Sequence, residues 1–501
     1  MRERLKANPA EEVIRYLFEP ALQAEVKRSF ETIIQINQAH LSMLVRQGIV
    51  QAETAQKIFE AIKMMEEQGP EQLELDPNLE ELYFNMEAFI IKQVGVNVGG
   101  QLHTGRSRND LYATVTRMNT RKYILSIMES INTLRYSLLR VAESHVNVVM
   151  SGYTHLQPAE PITFAHYLSA VLHALNRDYM RVEQALRHIN LLPLGAGAMA
   201  STTFPINRKQ TAELLGFDDI LQNSLDGVAS RDYILETLSA LNILMLTLSR
   251  FCHDLYIWST EEFAIVEVGD SVAACSSIMP QKKNPITLEH IKAKAAHVLG
   301  ILVSASASIK NTPYGHCRDV SAESIAYAWN AFHEVEASLQ LLRATVETLK
   351  IKGTRMLERV TANYSTVTEL ANTLVRETDV SFREAHHVVA HLVAEALEQG
   401  REANEINSLM VKNAAMRVLG RELPLSEESI KIALNPILNV QSKSVPGGPA
   451  PTEVQTQLDC LKENIDSHSD CLEQQKAAID AARKLLEREV NQLLSLQIGG
   501  S

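Results

Sequence analysis

Cysteine and net positive charge are both scarce in this sequence, and each shortage excludes a class of protein. The five cysteines are scattered, odd in number and without paired spacing, so neither a disulfide framework nor a metal site is expected. Lysine and arginine number 48 against 60 acidic residues, a net charge of −12. That balance argues against a nucleic-acid partner. A cationic cluster in such a chain is therefore local and specific.

A signal segment and a membrane span are also not evident. Residues 1–6 contain no apolar signal core, and no uninterrupted apolar stretch has the length that crosses a bilayer. Apolar residues make up 46% of the chain and charged residues 22%, an ordinary balance for a globular protein. These features predict a cytoplasmic protein with no membrane partner.

Glycine and proline are missing from long parts of the chain, and this absence predicts the fold. The stretches without either residue are 106–151, 162–192, 228–268, 316–352 and 354–399. Helices of about 30–40 residues would run roughly 45–60 Å and form an elongated bundle. Strand signals are sparse, with 264–268 as one short candidate. We therefore predict an all-α protein.

Three helical domains follow from the remaining glycines and prolines. We place an N-terminal domain at 1–105, a central long-helix bundle at 106–353 and a C-terminal domain at 354–501. Residues 231–258 are apolar around most of the helix circumference, so this helix is expected to be buried on nearly all sides. A single chain would leave much of the apolar surface of such a bundle exposed to water, which predicts a homo-oligomer with a shared core.

The C-terminal tail carries apolar residues at a mostly 3–4 spacing between 458 and 493. This pattern predicts one amphipathic helix, either docked on its own subunit, which we favour, or extended as an oligomerisation arm.

Four polar segments interrupt the helical pattern, and each has an ordinary structural explanation beside a functional one. Residues 275–285 hold two prolines with Ser, Lys and Asn between them, which predicts a loop that presents hydroxyls, ammonium groups and an amide. Residues 104–110 suit either anion binding or a capped helix start. Residues 152–158 hold a single histidine, more often structural than catalytic. In 223–232, capping of the next helix by Ser230 explains part of the pattern.

Together the four segments resemble the fumarase/aspartase superfamily, and argininosuccinate lyases most closely. Ser-Ser-x-Met-Pro-x-Lys-x-Asn at 276–284 is similar to the superfamily signature, although Cys275 stands where glycine is usual. Thr-Gly-Arg-Ser-Arg-Asn-Asp at 104–110 and Gly-Tyr-Thr-His-Leu-Gln-Pro at 152–158 resemble argininosuccinate lyase motifs. The likeness covers roughly residues 30–450. It implies an all-α homotetramer in which three subunits build each site and the signature loop closes over the substrate.

The resemblance also implies a reaction, cleavage of an N-substituted L-aspartate to fumarate and an amine by reversible β-elimination. Ser276 matches the family's general base, while Lys282 and Asn284 match residues that stabilise an enolate-like dianion. His155 matches the proton relay, with Glu289 as its carboxylate partner. No cofactor and no metal are implied, because the protein itself supplies the charge stabilisation.

Substrate-binding residues follow from the same comparison. Those that match the positions binding the succinyl carboxylates, or lying near the substrate, are Ser107, Arg108, Asn109, Thr154, Arg231 and Tyr314. A small anionic substrate, fumarate as product and other copies of the chain are the expected partners.

The departures from the family concern the amine half of the substrate. Val26 falls near an expected acid, and Ser321 and Ser324 stand where glutamine and lysine are usual. The substrate therefore remains either argininosuccinate or another N-succinyl amine, such as an aminopolycarboxylate of the ethylenediamine-disuccinate kind. The alternative hypothesis for the function is that the protein is a catalytically silent relative with a structural role, as among lens crystallins.

Overall fold

A computed structural model describes residues 7–495 of the chain and consists mostly of helices. Residues 1–6, part of the expectation about a signal segment, lie outside this range. The N-terminal helices are α1 (Glu11–Val13), α2 (Glu19–Arg46), α3 (Ala52–Gln68), α4 (Leu82–Val94) and α5 (Val96–Gly99). Their apolar faces enclose a core that includes Ile33, Phe59 and Tyr83. The all-α class is confirmed, while the three domain boundaries stay a prediction.

The central region contains the long helices. Its helices are α6 (Arg108–Glu143), α7 (Phe164–Ile189), α8 (Arg208–Leu214), α9 (Ser224–Ala229), α10 (Asp232–Trp258), α11 (Ile286–Ile309), α12 (Arg318–Ser321) and α13 (Ala328–Glu347). The 36 residues of α6 match the predicted length, but α7, α10 and α13 have 26, 27 and 20 residues. They are shorter because loops and short strands occupy the ends of the stretches that lack glycine and proline.

Four small two-stranded sheets connect these helices. The strands are β1 (Val149–Thr154), β2 (Gln157–Thr163), β3 (Leu191–Leu192), β4 (Asp219–Ile220), β5 (Val266–Glu267), β6 (Ala274–Cys275), β7 (Lys283–Asn284) and β8 (Lys350–Ile351). β3 and β4 are parallel, and the pairs β1–β2, β5–β8 and β6–β7 are antiparallel. The sparse strand signals missed the β1–β2 hairpin, since its glycine and two prolines are atypical of strands.

The bundle helices run in alternating directions, which creates two distinct ends. At one end, Arg117 near the start of α6 donates to the carbonyl of His188 at the end of α7 (2.6 Å). At the other, the rings of His145 and Phe164 lie 6.0 Å apart where α6 ends and α7 begins. We call the end that holds the starts of α6 and α10 the proximal end. The end that holds their C-termini and the starts of α7 and α11 is the distal end.

The C-terminal region contains a third core and one very long helix. Its helices are α14 (Gly353–Ala362), α15 (Val367–Glu377), α16 (Phe382–Glu398), α17 (Ser408–Leu419), α18 (Glu427–Leu434), α19 (Pro436–Ser442) and α20 (Pro451–Ser495). The stretch 354–399, which lacks glycine and proline, thus forms three helices. Side-chain caps start new segments there: Asn363 accepts from the Ser365 amide (2.9 Å), and Ser381 forms a capping box with Glu384.

Helix α20 docks on its own chain, as the sequence pattern favoured. Leu458 and Ile465 join the bundle core, whereas Leu486 and Val490 join the N-terminal core. Arg46 of α2 forms an ion pair with Glu489 (2.5 Å). The helix therefore ties two regions of one subunit together.

Helix α10 is less enclosed than its composition predicts. Within one chain Ile243 and Leu246 are 39% and 48% exposed, so the helix is not buried on all sides. Contrary to the sequence expectation, α10 is long and apolar enough to cross a membrane by length and composition alone. Half of the tested segment is buried inside the chain, and core helices pass the same test, so this match carries little weight.

Candidate active site

The start of α6 positions three of the predicted substrate-binding residues. Ser107 is the N-cap: its Oγ accepts from the Asn109 amide (3.3 Å), and its own amide donates to Asp110 (2.9 Å). The side chain of Asn109 donates to the carbonyl of Ala198 (3.2 Å), and Arg108 donates to Glu80 (3.1 Å). The capped helix start is therefore present, and the predicted anion binding suits the same position because the N-terminus of a 36-residue helix favours negative charge.

Asp110 fixes this helix start to a neighbouring loop, a role that the sequence did not reveal. Its carboxylate is fully buried and accepts from the amides of Gly195 (2.9 Å) and Gly197 (2.8 Å). Burial raises the pKa of Asp110 to about 6, although these amide hydrogen bonds oppose the rise. Gly197 has φ of 62°, and a Cβ there would lie 2.6 Å from the Ser201 carbonyl oxygen. The sequence signal for this position was the spacing of Ser107 and Asp110, three residues apart, which is typical of a capping box.

Arg231 and Tyr314 also lie at the proximal end. Arg231 is buried and donates to the carbonyl of Ser230 (2.6 Å), while its Nε and Nη2 atoms have no partner in the described part of the chain. The Ser230 hydroxyl is likewise unpaired, so the expected cap on α10 is wrong; Arg231 itself occupies the N-cap position. Tyr314 is 70% exposed and donates to Asp226 (2.6 Å), which raises the pKa of Tyr314 to about 12.

A cavity of about 230 Å³ opens beside these residues. It is lined by α2, the start of α6, the segment that contains α12, and the start of α13. Arg108 and Asn109 contribute to its wall, together with four groups that sequence reasoning missed: Glu25, Arg28, Glu81 and Arg318. The sequence signal for the groups on α2 was the spacing of Glu25, Arg28 and Ser29, which places three polar side chains on one face of a helix.

The departures from the family have different consequences in this cavity. Val26 packs against the N-terminal core, whereas the neighbouring Glu25 lines the cavity and supplies a carboxyl group there. Ser321 lines the cavity, but Ser324 is buried and donates to the carbonyl of Val320 (2.7 Å). An acid is therefore present in this cavity, at the position next to the one that the family resemblance indicated.

The distal end presents the second motif on a hairpin turn. His155 and Leu156 join β1 to β2 with φ of 54° and 59°, a left-handed conformation that side chains rarely adopt outside such turns. Thr154 and His155 are both exposed at the tip. Tyr153 anchors the hairpin against Trp258, with 6.3 Å between the ring centroids. The turn thus holds the imidazole outward, away from its own subunit.

The signature loop lies at the same end, closed at its base by β6 and β7. The Oγ atom of Ser276 accepts hydrogen bonds from the amides of Met279 (3.1 Å) and Ile278 (3.4 Å). Such donors favour a negatively charged oxygen. Cys275 pairs with Lys283 in the short sheet and is absent from the positive-φ residues. Replacing glycine by cysteine therefore causes no backbone strain in this conformation.

The two lysines of the loop have different surroundings. Lys283 forms ion pairs with Asp270 (2.5 Å) and Glu267 (3.2 Å) at the base of the loop. Hydrogen bonds from Lys350, Lys352 and Lys283 lower the pKa of Glu267 to about 2. Lys282 is exposed and makes no ion pair with any residue in 7–495. Its ammonium group is thus available to an anion.

The remaining predicted residues lie close to the loop in sequence. Asn284 is half-buried in β7, and Glu289 is exposed in the first turn of α11. In the described range, no hydrogen bond or ion pair joins Glu289 to His155. One chain therefore does not assemble the predicted relay.

The predicted site is divided between the two ends of one subunit. Ser107, Arg108, Asn109, Arg231 and Tyr314 lie at the proximal end, and Thr154, His155, Ser276, Lys282, Asn284 and Glu289 lie at the distal end. Helices α6 and α10 separate them by roughly 40–55 Å at 1.5 Å per residue. No substrate of ordinary size spans that distance.

No group of three or more His, Cys, Asp or Glu side chains that could hold a metal ion occurs among residues 7–495. The cysteines are free, and Cys252 is buried, where desolvation raises the pKa of its thiol.

Comparison with known proteins identifies the family. Residues 17–300 match the family model described as Lyase, and residues 364–441 match Argininosuccinate lyase C-terminal. The chain is 49% identical over 490 residues to argininosuccinate lyase 1 of Shouchella clausii, covering 98% of both proteins. It is 39% identical over 485 residues to argininosuccinate lyase of Methanocaldococcus jannaschii, covering 97% of this chain and 98% of that protein.

Solved structures agree with this assignment. An EDDS lyase variant with bound fumarate has a TM-score of 0.89 and 34% identity, and the match covers 98% of this chain and 97% of the other. A class II fumarase from Schistosoma mansoni has a TM-score of 0.68 at 15% identity, which shows a shared fold only; 85% of this chain and 92% of the other are covered. Because the sequence matches span nearly the whole chain, the C-terminal tail is not an addition relative to these proteins.

Proposed function

Since the chain belongs to the argininosuccinate lyase family of the fumarase/aspartase superfamily, we propose that it cleaves an N-substituted L-aspartate by reversible β-elimination. Membership of the family makes the protein a carbon–nitrogen lyase that releases fumarate. The observation that carries the finer proposal is the environment of Ser276, whose oxygen accepts two backbone hydrogen bonds on a loop with an unpaired lysine.

Ser276 acts as the general base in this proposal. It removes a proton from the carbon next to a substrate carboxylate, and the electron pair left on that carbon is delocalised into an enolate-like dianion. A serine hydroxyl is a weak base, so the ionised form has to be favoured by its surroundings. The amides of Ile278 and Met279 supply such stabilisation, and the exposed ammonium of Lys282 adds to it.

Lys282 and Asn284 stabilise the charge that develops on the substrate carboxylate. Preorganised donors of this kind contribute about 3 kcal/mol each to lowering a barrier. The paired Lys283 is unsuited to this role because Asp270 and Glu267 already neutralise it. Collapse of the dianion forms the carbon–carbon double bond of fumarate and breaks the carbon–nitrogen bond. The departing nitrogen receives a proton through His155, with Glu289 as the partner of the imidazole.

The proximal end binds the substrate in this scheme. Ser107, Arg108 and Asn109 hold the succinyl carboxylates at the positive N-terminus of α6, and Thr154 of another subunit contributes from its hairpin. Arg231 offers two buried N–H groups that lack partners in the described chain and that suit an anionic ligand. Tyr314 is exposed, and its one hydroxyl proton reaches a ligand only after leaving Asp226.

We propose a homotetramer, because a single subunit separates the two halves of the site. Distal residues of some subunits have to meet the proximal end of another for the chemistry to occur. Exposed apolar side chains on α10 and α11 support association through the bundle, namely Ile243, Leu246, Leu299 and Val303. Covering such a surface with further copies of the chain explains why a half-exposed helix carries a core sequence.

The amine half of the substrate is proposed to be arginine, as in argininosuccinate, or another aminocarboxylate. The relatives named above are argininosuccinate lyases, and the solved structures named above include an EDDS lyase. A cytoplasmic location, with no nucleic-acid or membrane partner, accords with a net charge of −12 and with small anionic substrates.

Release of fumarate, followed by its ultraviolet absorbance, tests the proposal. Purified protein is incubated with argininosuccinate, ethylenediamine disuccinate and other N-succinyl amines, and in reverse with fumarate and the free amines. Turnover that disappears in Ser276→Ala and persists in Ser277→Ala supports the proposed base. A folded oligomer that turns over none of these compounds would instead favour the silent, crystallin-like alternative.

A further inference from the structure

Glu267 is the acceptor for three lysines at the distal end. It lies in β5, and its carboxylate pairs with Lys283 of β7 (3.2 Å), Lys350 of β8 (2.9 Å) and Lys352 just after β8 (3.0 Å). Asp270, three residues further along the chain, accepts from the same Lys283 (2.5 Å). Because the three lysines hold the pKa of Glu267 at about 2, its carboxylate is ionised near neutrality. This group has no part in the proposed reaction.

Glu267 joins two sheets that are otherwise separate. Strand β5 pairs with β8, where Glu267 lies opposite Lys350, whereas β6 pairs with β7 at the base of the signature loop. No backbone ladder connects the two sheets in the described range 7–495. Val266, the other residue of β5, is buried in the bundle core. The ion pair of Glu267 with Lys283 therefore ties the base of the loop to a strand that the core holds in place.

The chain between the two sheets is also closely packed. Gly269 lies directly beside Thr348, the residue that follows α13, and a Cβ at Gly269 would lie 2.5 Å from the Cβ of Thr348. Only glycine allows the backbone to approach so closely. Asp270 is thereby held next to Glu267, within reach of the same ammonium group.

Holding Lys283 also decides the direction of its neighbours. Side chains alternate between the two faces of a strand, so Asn284 points away from the face that Lys283 occupies. Lys282 comes directly before this strand. Cys275 lies opposite Lys283, which places Ser276 one residue beyond the paired segment. The ion pairs of Lys283 therefore act on the backbone that carries the proposed base and the proposed charge-stabilising groups.

We propose that Glu267 is a positioning residue for the lyase reaction, which fixes the base of the signature loop through Lys283. The inference rests on the proposed function and adds to it a residue that touches no substrate. It acts on the rate more than on binding, because the proposed binding groups lie mostly at the proximal end and the loop carries the reacting groups. It also neutralises a second cation, since an unpaired Lys283 beside Lys282 would offer a substrate carboxylate a misplaced partner.

Steady-state kinetics on the best N-succinyl substrate test this role. Glu267→Gln and Lys283→Met should each lower kcat on the order of 10- to 100-fold, since a displacement of about 1 Å can cost that much, and should change KM less. The double variant should lose no more than the worse single variant, because both substitutions break the same contact. Lys283→Arg keeps the ion pair and should restore most of kcat.

Two control variants isolate the contact with the loop. Glu53→Gln removes an exposed ion pair with Lys57 on α3 (3.1 Å) and should keep the wild-type kcat. Lys350→Met takes one lysine from Glu267 but leaves its pair with Lys283, so kcat should fall much less than in Lys283→Met. Equal losses in the two lysine variants, or additive losses in the double variant, would overturn the inference.

Hydrogen exchange provides a measurement that does not depend on turnover. The amides of residues 276–284 should exchange faster in Glu267→Gln and Lys283→Met than in wild type or Glu53→Gln. Melting temperatures should change little, since partly exposed ion pairs stabilise proteins weakly.

The two measurements distinguish a failure of this inference from a failure of the proposed function. Unchanged exchange of the loop, or unchanged kcat of Glu267→Gln in an active enzyme, contradicts the positioning role. If folded wild-type oligomer turns over no N-succinyl compound, the proposed function fails, and faster loop exchange in the variants then supports only the structural tie between Glu267 and the loop.

Discussion

The two ends of the bundle differ in how they hold their polar groups. At the proximal end Asp110 is fully buried and Arg231 is 3% exposed, and hydrogen bonds to the backbone fix both side chains. At the distal end His155 and Lys282 are exposed on a turn and a loop. The proposed binding groups are thus preorganised in the core of one subunit, while the proposed reacting groups project from it. In the proposed homotetramer, each site is completed by the projecting groups of another subunit.

Mixed oligomers provide the strongest test of this division, with the largest expected effect. Ser276→Ala removes the proposed base at the distal end, and Arg108→Met alters the proximal end. We expect Ser276→Ala alone to reduce kcat about 10²–10⁴-fold, the usual contribution of general acid–base catalysis. Co-expression of the two variants should restore measurable turnover, because some sites then combine an intact loop with an intact proximal end.

Two defects on the same loop make the control for this experiment. Ser276→Ala with Lys282→Met leaves no intact loop in any subunit, so co-expression should restore nothing. Oligomer exchange is verified by native mass spectrometry. Failure of the first pair to recover activity in proven mixed oligomers would show that one chain builds the whole site.

A smaller effect, on stability, is expected where the proximal end is fixed. Asp110→Ala leaves the amides of Ser107, Gly195 and Gly197 without their acceptor. We expect the free energy of unfolding to fall by about 3 kcal/mol, the cost of unpairing buried groups. Glu384→Ala breaks a second capping box on an exposed helix start and should cost about 1 kcal/mol. Thermal denaturation of both variants measures the difference; equal losses would contradict a special role for the proximal end.

A stability effect of comparable size concerns pH and Glu25. Its pKa is raised from 4.5 to about 7, so the folded chain holds a proton that the unfolded chain has released in this window. Stability attributable to this carboxyl therefore falls as pH rises from about 4.5 to about 7 and stays level above. Glu25→Gln removes the titration and keeps an acceptor for Tyr112.

The Tm difference between Glu25→Gln and wild type should accordingly grow in favour of the variant across that window by a few degrees at most. Scanning calorimetry at several pH values measures it. A difference that does not change with pH would show that burial does not raise the pKa of Glu25.

The sequence predicted much of this architecture because its signals are local. Long stretches without glycine or proline indicate long helices. The 3–4 spacing of apolar residues predicted that the tail forms one amphipathic helix. It missed the hairpin at β1 and β2, where proline and glycine obscure the strand pattern, and it overlooked Glu25 because neighbouring positions on a helix point in different directions. The catalytic and binding roles of the individual residues stay predictions.

By itself, then, the sequence determined the all-α class, the family and the four polar segments, since periodicity and motif wording are properties of the linear chain. Only the tertiary structure decided that these segments separate to opposite ends of a bundle, and that Asp110, Glu25 and Arg28 join the proximal end. The physical reason is the alternation of helix direction. Packing of apolar faces sets which helix ends meet, and no local pattern of residues encodes that arrangement.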